Sequence, residues 1–130
     1  MPTLSYPPGI TAFQSGVTVT TTTTKAFTTG SQTMTAAQLI GGVISSANAG
    51  AVTFTTDTAA NLDAALNNPA VGDTFTCVLL NLGTNTITLA GGSSVTLQGN
   101  TAVATGKNAL LVFVRTATTP TYTCNSIVSA

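Results

Sequence analysis

The second half of the chain is a succession of short apolar and β-branched segments separated by turn residues, and this pattern constrains the fold most strongly. Gly83, Gly91-Gly92, Gly99-Asn100, Gly106 and Thr119-Pro120 divide it at short intervals. Such spacing is typical of strands joined by tight turns. The predicted strands cover 73–81, 84–90, 94–97, 101–105, 109–114 and 121–128. The chain is therefore predicted to be mainly β, a β-sandwich or barrel-like meander.

Two short helices are predicted before this region. Thr35-Ala-Ala-Gln38 forms a capping-box pattern, and Gly41-Gly42 ends the helix that follows. A second helix begins near Asp57 and ends at Asn67-Asn68-Pro69, with Leu62 and Leu66 on one side. Between the helices, residues 51–56 alternate as a strand does.

The first part of the chain differs from the rest, so residues 1–34 are predicted to be an extended Thr/Pro-rich arm and residues 35–130 a compact β domain. Prolines keep its start extended, and a β-branched run follows with few groups that could fill a core. One interpretation is a solvated linker; the one we favour is an arm that adds a strand to a neighbouring subunit. The hypothesised interface residues of the arm are Tyr6, Pro7, Pro8, Phe13, Val17, Val19 and Phe27.

Charge is nearly absent, which limits the possible partners. Three basic and three acidic residues give a net charge of zero, and charged residues make up 5% of the chain, against about 25% in a typical protein. Nucleic-acid binding and binding to anionic membranes both need clusters of Lys and Arg, so neither is expected. A protein with a net charge near zero is poorly soluble on its own, so we expect the chain to be a subunit of a larger assembly.

The composition also argues against catalysis. The chain has no histidine and no glutamate, and no nucleophile, phosphate-binding or metal-binding motif is present. We therefore expect no enzyme, no cofactor, no metal and no small-molecule substrate. The three aspartates have structural explanations: Asp57 as a helix cap or first-turn residue, Asp63 on the polar side of a helix, and Asp73 after a turn at Gly72.

Burial can be predicted for a few residues. Val78–Leu80 and Leu110–Val114 are apolar at consecutive positions, so both faces of these strands should be covered, either inside a sandwich or by another subunit. Arg115 is expected to reach water at a strand end, with a salt bridge between subunits as the alternative. Cys77 and Cys124 are expected to be free buried thiols because no secretory signal precedes them.

A resemblance covers about residues 33–130. The run Thr35-Ala-Ala-Gln-Leu-Ile-Gly-Gly-Val-Ile44 resembles the opening of small virion proteins of tailed bacteriophages of the aquatic, cyanophage type. The later segments 58–66, 71–75, 86–92 and 95–99 are similar to that family and occur in the same order.

The resemblance implies a head decoration, or cement, protein that bridges capsomers on the outer capsid surface of the virion. Its implied partners are the major capsid protein and itself, as a homotrimer, with residues 2–27 across the capsid or the next protomer. With no export signal and no membrane span, the chain is expected to be made in the host cytoplasm. A head or tail fibre subunit is the first alternative. A threonine-rich ice-binding or surface-layer protein is the second.

Overall fold

The computed structural model describes residues 22–130, which contain ten β-strands and two α-helices. The helices are α1 (Ala36–Leu39) and α2 (Ala59–Leu66). The strands are β1 (Thr24–Phe27), β2 (Gln32–Met34), β3 (Val43–Ser46), β4 (Val52–Thr56), β5 (Thr74–Asn81), β6 (Ile87–Ala90), β7 (Val95–Gly99), β8 (Ala102–Val103), β9 (Asn108–Ala117) and β10 (Thr121–Val128). The prediction of a mainly β fold with two short helices is confirmed.

The strands form two mixed sheets, and the chain passes from one sheet to the other at almost every connection. The six-stranded sheet has the order β1-β3-β5-β9-β10-β7, and the four-stranded sheet has the order β2-β4-β6-β8. Strands β1, β3 and β5 are parallel neighbours, as are β2, β4 and β6. The first six strands therefore wind like three turns of a short solenoid.

This winding differs from the predicted meander. Among the described strands, only β9 and β10 are consecutive in sequence and paired with each other, as an antiparallel hairpin. The turn residues predicted where strands end, but they carry no information about which sheet the next strand joins. The two helices lie within crossovers, α1 between β2 and β3 and α2 between β4 and β5.

One core joins the inner faces of both sheets. The burial of side chains alternates along the strands, most clearly in β4, β5 and β9. Phe27 of the six-stranded sheet meets Phe54 of the four-stranded sheet edge to face, with ring centroids 5.0 Å apart. Phe75 and Phe113 stack at 4.5 Å between neighbouring strands β5 and β9. The two sheets thus pack as a sandwich.

The helix ends follow the sequence signals. Thr35 and Gln38 form the expected capping box, with the Gln38 side chain accepting from the Thr35 N–H at 3.0 Å. Thr58 caps α2 by accepting from the Asn61 N–H, and Asn67 ends the helix in the left-handed region, at φ 58°. The helices therefore begin and end close to where the sequence predicts.

The predicted arm boundary at residue 34 does not match the sheets. Strands β1 and β2 already belong to the two sheets, where they pair with β3 and β4. Phe27, hypothesised as an interface residue of the arm, is 6% exposed and lies in the chain's own core. The other hypothesised arm residues, Tyr6, Pro7, Pro8, Phe13, Val17 and Val19, lie outside the described residues.

Candidate packing surfaces

The outer face of the six-stranded sheet is apolar across its centre. Because side chains alternate along a strand, the buried inner residues fix which residues point outward. We call the apolar ones among the outward residues of β3, β5, β9 and β10 the apolar face; they are Val43, Val78, Leu80, Leu110, Val112, Val114 and Ile127. Outward polar residues border them, with Ser45 opposite Leu80, and Thr76 and Asn125 opposite Val112. Leu110 is 39% exposed and Ile127 is 60% exposed, while the others are half-buried.

Strand register aligns four of these side chains in one row. Val43 is opposite Val78, Val78 is opposite Leu110, and Leu110 is opposite Ile127. With strands about 4.8 Å apart and outward residues about 6.7 Å apart along a strand, the seven residues of the apolar face cover about 230 Å². The continuity of these apolar side chains across four strands, rather than their area, makes the apolar face a candidate contact surface.

The apolar face contains a shallow depression of about 300 Å³. Val78, Leu110, Ile127 and Val128 line it, together with Asn108, Ala109 and Ser129. It is open to solvent and its lining residues carry no titratable side chain, so it can receive an apolar group.

The two apolar runs of the sequence account for this surface. Val78–Leu80 lies in β5 and Leu110–Val114 lies in β9, which are neighbours in the middle of the six-stranded sheet. Their inner residues are buried, whereas their outer residues remain accessible. We expected both faces of these strands to be covered. Within the described residues, only the inner face is covered.

The opposite side of the sandwich has a different outer face, which we call the threonine face. Thr33, Thr53, Thr55 and Thr88 point outward from the four-stranded sheet, with Ala90 and Ala102 beside them. Register sets Thr33 beside Thr55 and Thr53 beside Thr88. The threonines form only two rows across the four-stranded sheet, because β4 is its one strand with two outward threonines, Thr53 and Thr55.

Arg115 does not reach water as the sequence suggested, and its salt bridge lies within the chain. Its guanidinium donates to both carboxylate oxygens of Asp63, at 3.0 Å from Nε and 2.6 Å from Nη2. The residue is 8% exposed. The contact spans 52 positions of sequence and joins β9 to α2, which no local pattern could predict.

Tyr122 completes this cluster. Its phenol donates to Asp63 Oδ1 at 2.6 Å, and Arg115 Nη2 also donates to the Thr118 carbonyl at 2.9 Å. The hydrogen bonds from Arg115 lower the pKa of Asp63 below its ordinary value. Burial, followed by the contact with Asp63, raises the pKa of Tyr122. The cluster therefore holds a fixed ion pair and a neutral phenol, and its role is to pin the helix to the sheet.

The remaining charges also contact their own chain. Asp57 accepts from the N–H groups of Ala36 and Thr58, both at 2.8 Å, and from Asn61 Nδ2 at 2.7 Å, so one carboxylate serves both helices. Asp73 accepts from the Ala70 N–H at 2.8 Å.

The two lysines are engaged as well. Lys25 Nζ lies 5.4 Å from the centre of the Phe27 ring, and Lys107 donates to the Ala130 carbonyl. The charged side chains are thus used for internal contacts, and the apolar face has none.

The cysteines are free and buried, as expected. Burial raises the pKa of Cys77 to about 12, and burial with a smaller contribution from Cys77 raises the pKa of Cys124 to about 12. Both thiols are therefore neutral at physiological pH and are poor nucleophiles.

Two further observations concern residues 22–130. No three His, Cys, Asp or Glu side chains come together there in a way that could hold a metal ion. Neither α1 nor α2 is long and apolar enough to cross a membrane.

Comparison of the chain with protein-family models, curated proteins and solved structures gives no match.

Proposed function

We propose that this chain is a structural subunit of a bacteriophage virion, a decoration protein that binds the outer head surface and bridges capsomers. The observation that carries the proposal is the apolar face. It is a continuous, uncharged patch on the central strands of a folded domain. Together with the resemblance of residues 33–130 to small virion proteins, it supports a protein that works by packing against another protein.

The distribution of charge supports the same proposal. Asp57, Asp63, Asp73, Lys25, Lys107 and Arg115 all contact groups of their own chain. Attraction to a partner must then come from apolar burial and shape rather than from electrostatic steering. Contact of this kind suits a mechanical role, in which added contact area holds neighbouring capsomers together. The proposed partners are the major capsid protein and further copies of the chain, as a homotrimer.

The two outer faces suggest an orientation on the head. In the proposal, the apolar face meets the shell and the threonine face is directed to solvent. Burying an apolar patch of about 230 Å² contributes favourably at about 25 cal/mol per Å² before the cost of association. Several such contacts from a trimer would act together.

A fibre subunit is the second candidate, and the parallel stacking of β1, β3 and β5 favours it. Stacked windings of this kind extend naturally into elongated appendages. The number of copies per virion separates the two candidates. A decoration protein should occur in a fixed number of copies close to that of the major capsid protein, whereas a fibre protein should occur in far fewer copies. The ice-binding alternative relies on the two rows of the threonine face and predicts thermal hysteresis, which a decoration protein lacks.

Shell binding tests the proposal. Purified chain is mixed with expanded, undecorated heads of the phage that encodes it, and the heads are pelleted. We expect saturable uptake, and at least a roughly tenfold loss of affinity for Ile127→Asp, because a buried unpaired charge is strongly unfavourable. Thr88→Asp on the threonine face is the matched control and should bind like the parent. The proposal is wrong if the parent does not bind, or if Ile127→Asp binds as tightly.

A further inference from the structure

Strand β1 is one edge of the six-stranded sheet, and within the part of the chain that the structure describes its outer side has no partner strand. The carbonyls of Thr23 and Phe27 accept hydrogen bonds from the side of β3, at 2.8 and 3.1 Å. Alternate residues of a strand direct their backbone groups to opposite sides, so Thr24 and Ala26 direct theirs to the unpaired side. Free groups of this kind are a template for a strand of another molecule.

The one charged side chain of this edge strand points to the inner side of the sheet. Lys25 is opposite Ile44, and Ile44 is opposite Leu79; both of these partners are fully buried in the core. Lys25 therefore ends a row of core residues, although its own side chain is exposed. Its Nζ lies 5.4 Å from the centre of the Phe27 ring, so the ammonium group lies at the rim of the core and stays in contact with water.

We propose that Lys25 keeps the sheet edge at β1 from pairing with strands of other molecules, including further copies of this chain. A strand added beside β1 would lie about 4.8 Å away and would cover the inner side of the sheet at Lys25. The ammonium group would then lose water, which is strongly unfavourable for a charge without a partner. Inward charges on edge strands oppose edge-to-edge association of sheets in this way.

The carboxylates of the described residues are engaged elsewhere and do not compensate this charge. Among residues 22–130 the one salt bridge joins Arg115 to Asp63. Asp57 accepts hydrogen bonds at the starts of α1 and α2, and Asp73 accepts one from the turn before it. A β1 strand from a second copy would bring its own lysine to the same short edge, and like charges facing each other across two strands repel. Contacts within an assembly are thereby directed away from this edge.

The sequence around Lys25 shows why a charge is needed there. Lys25 follows residues 20–24, which are all threonine, and no other charged residue precedes Asp57. Uncharged segments of high β-propensity pair readily when they are exposed, and a single charge within them opposes this pairing. The edges of the four-stranded sheet differ, because β2 and β8 are only three and two residues long and offer a partner few backbone groups.

Sedimentation velocity of full-length variants over a range of concentrations tests the inference. Lys25→Thr removes the charge, and Lys107→Thr is the matched control because it makes the same change of residue and net charge between β8 and β9. We expect Lys25→Thr to self-associate at a concentration at least about tenfold lower than the parent. Lys107→Thr should behave like the parent, and so should Lys25→Arg, which keeps the charge. The assembly state of the parent at each concentration is the baseline.

A double variant identifies the surface that associates. Lys25→Thr/Ala26→Pro lacks the N–H group that Ala26 directs to the unpaired side, and proline is tolerated at such positions of an edge strand. We expect this variant to sediment like the parent, because an added strand would find no donor there. Association equal to that of Lys25→Thr alone overturns the inference, because the contact then lies elsewhere on the molecule.

A further variant separates edge pairing from unfolding. Lys25→Met keeps a long stem beside Phe27 without the charge and should associate as Lys25→Thr does, and urea denaturation at low concentration checks that both are folded. Association of Lys25→Thr alone, with a lowered urea midpoint, overturns the inference. Equal association of Lys25→Thr and Lys107→Thr, or none for Lys25→Thr, overturns it as well. The experiment contains no heads, so its outcome leaves the shell-binding test of the proposed function unaffected.

Discussion

The phenol of Tyr122 donates a hydrogen bond of 2.6 Å to Asp63, and this contact ties β10, the last strand of the chain, to helix α2. The same carboxylate accepts hydrogen bonds from both Nε and Nη2 of Arg115 on the neighbouring strand. The helix lies in a crossover between the two sheets and is thereby fixed to the six-stranded one. Arg115 and Tyr122 point to the inner side of that sheet, opposite the apolar face.

Removal of the phenol tests the importance of this tie. Tyr122→Phe keeps the ring in the core and deletes only the hydrogen bond to a charged acceptor. We expect it to lower the free energy of unfolding by roughly 1.5–3 kcal/mol, measured by urea denaturation. Thr88→Val, which removes an exposed hydroxyl on the threonine face, is the control and should change stability little. A loss for Tyr122→Phe no larger than that of the control would contradict the described cluster.

Alkaline pH should destabilise the protein through its two thiols. Burial raises the pKa of Cys77 and Cys124 from 9.0 to about 12. Their contribution to stability is therefore complete below pH 9 and is lost as pH rises from about 9 to about 12. Each thiol should lower the free energy of unfolding by about 1 kcal/mol per pH unit within that window.

The double variant Cys77→Ala/Cys124→Ala separates this effect from other alkaline titrations. It is less stable at neutral pH because two side chains are truncated, but its stability should fall less steeply above pH 9. Parallel curves of unfolding free energy against pH for parent and variant would rule out the thiols as the cause.

Neighbouring leucines in β9 should respond oppositely to truncation. Leu111 points into the core and is fully buried, whereas Leu110 belongs to the apolar face. Leu111→Ala is expected to cost about 2–5 kcal/mol, and Leu110→Ala less than about 1 kcal/mol, by chemical denaturation. Equal losses would contradict the assignment of Leu110 to the outer face of the sheet and of Leu111 to the core.

Gly42 should not tolerate a side chain. A Cβ there would lie 1.8 Å from the Gln38 carbonyl oxygen, which is backbone and belongs to α1. We expect Gly42→Ala to lower the free energy of unfolding by about 3 kcal/mol or more. Gly50→Ala is the matched control, because a Cβ at Gly50 meets nothing within 4 Å. Similar melting temperatures for the two variants would contradict the close approach of α1 to Gly42.

The sequence predicted those parts of the fold that local chemistry determines. The capping box at Thr35, the stop at Asn67 and most strands after Pro69 are formed as predicted, because each depends on residues only a few positions apart. Strands β1, β2 and β3 were missed as parts of the two sheets. Thr24–Phe27 resembles the arm before it, and Val43–Ser46 follows a helix signal without a distinct pattern of its own.

The pairing of strands and the contacts between residues far apart in the chain could not be predicted from the sequence. Nothing local indicates that β5 runs parallel to β3, or that Arg115 meets a carboxylate 52 positions away. The apolar face could be predicted in part from the sequence. Two consecutive apolar runs predicted strands that can be covered on both sides, but only the register showed that their outer side chains meet in one continuous row.

The abundance of this chain in purified virions tests the account most directly. Quantitative mass spectrometry of virions from the phage that encodes it gives the ratio of the chain to the major capsid protein. If the chain is a decoration protein, we expect a fixed ratio of the order of one copy per copy of the major capsid protein. Heads should keep this ratio after the tails are removed. A ratio far below that, or loss of the chain together with the tails, would contradict it.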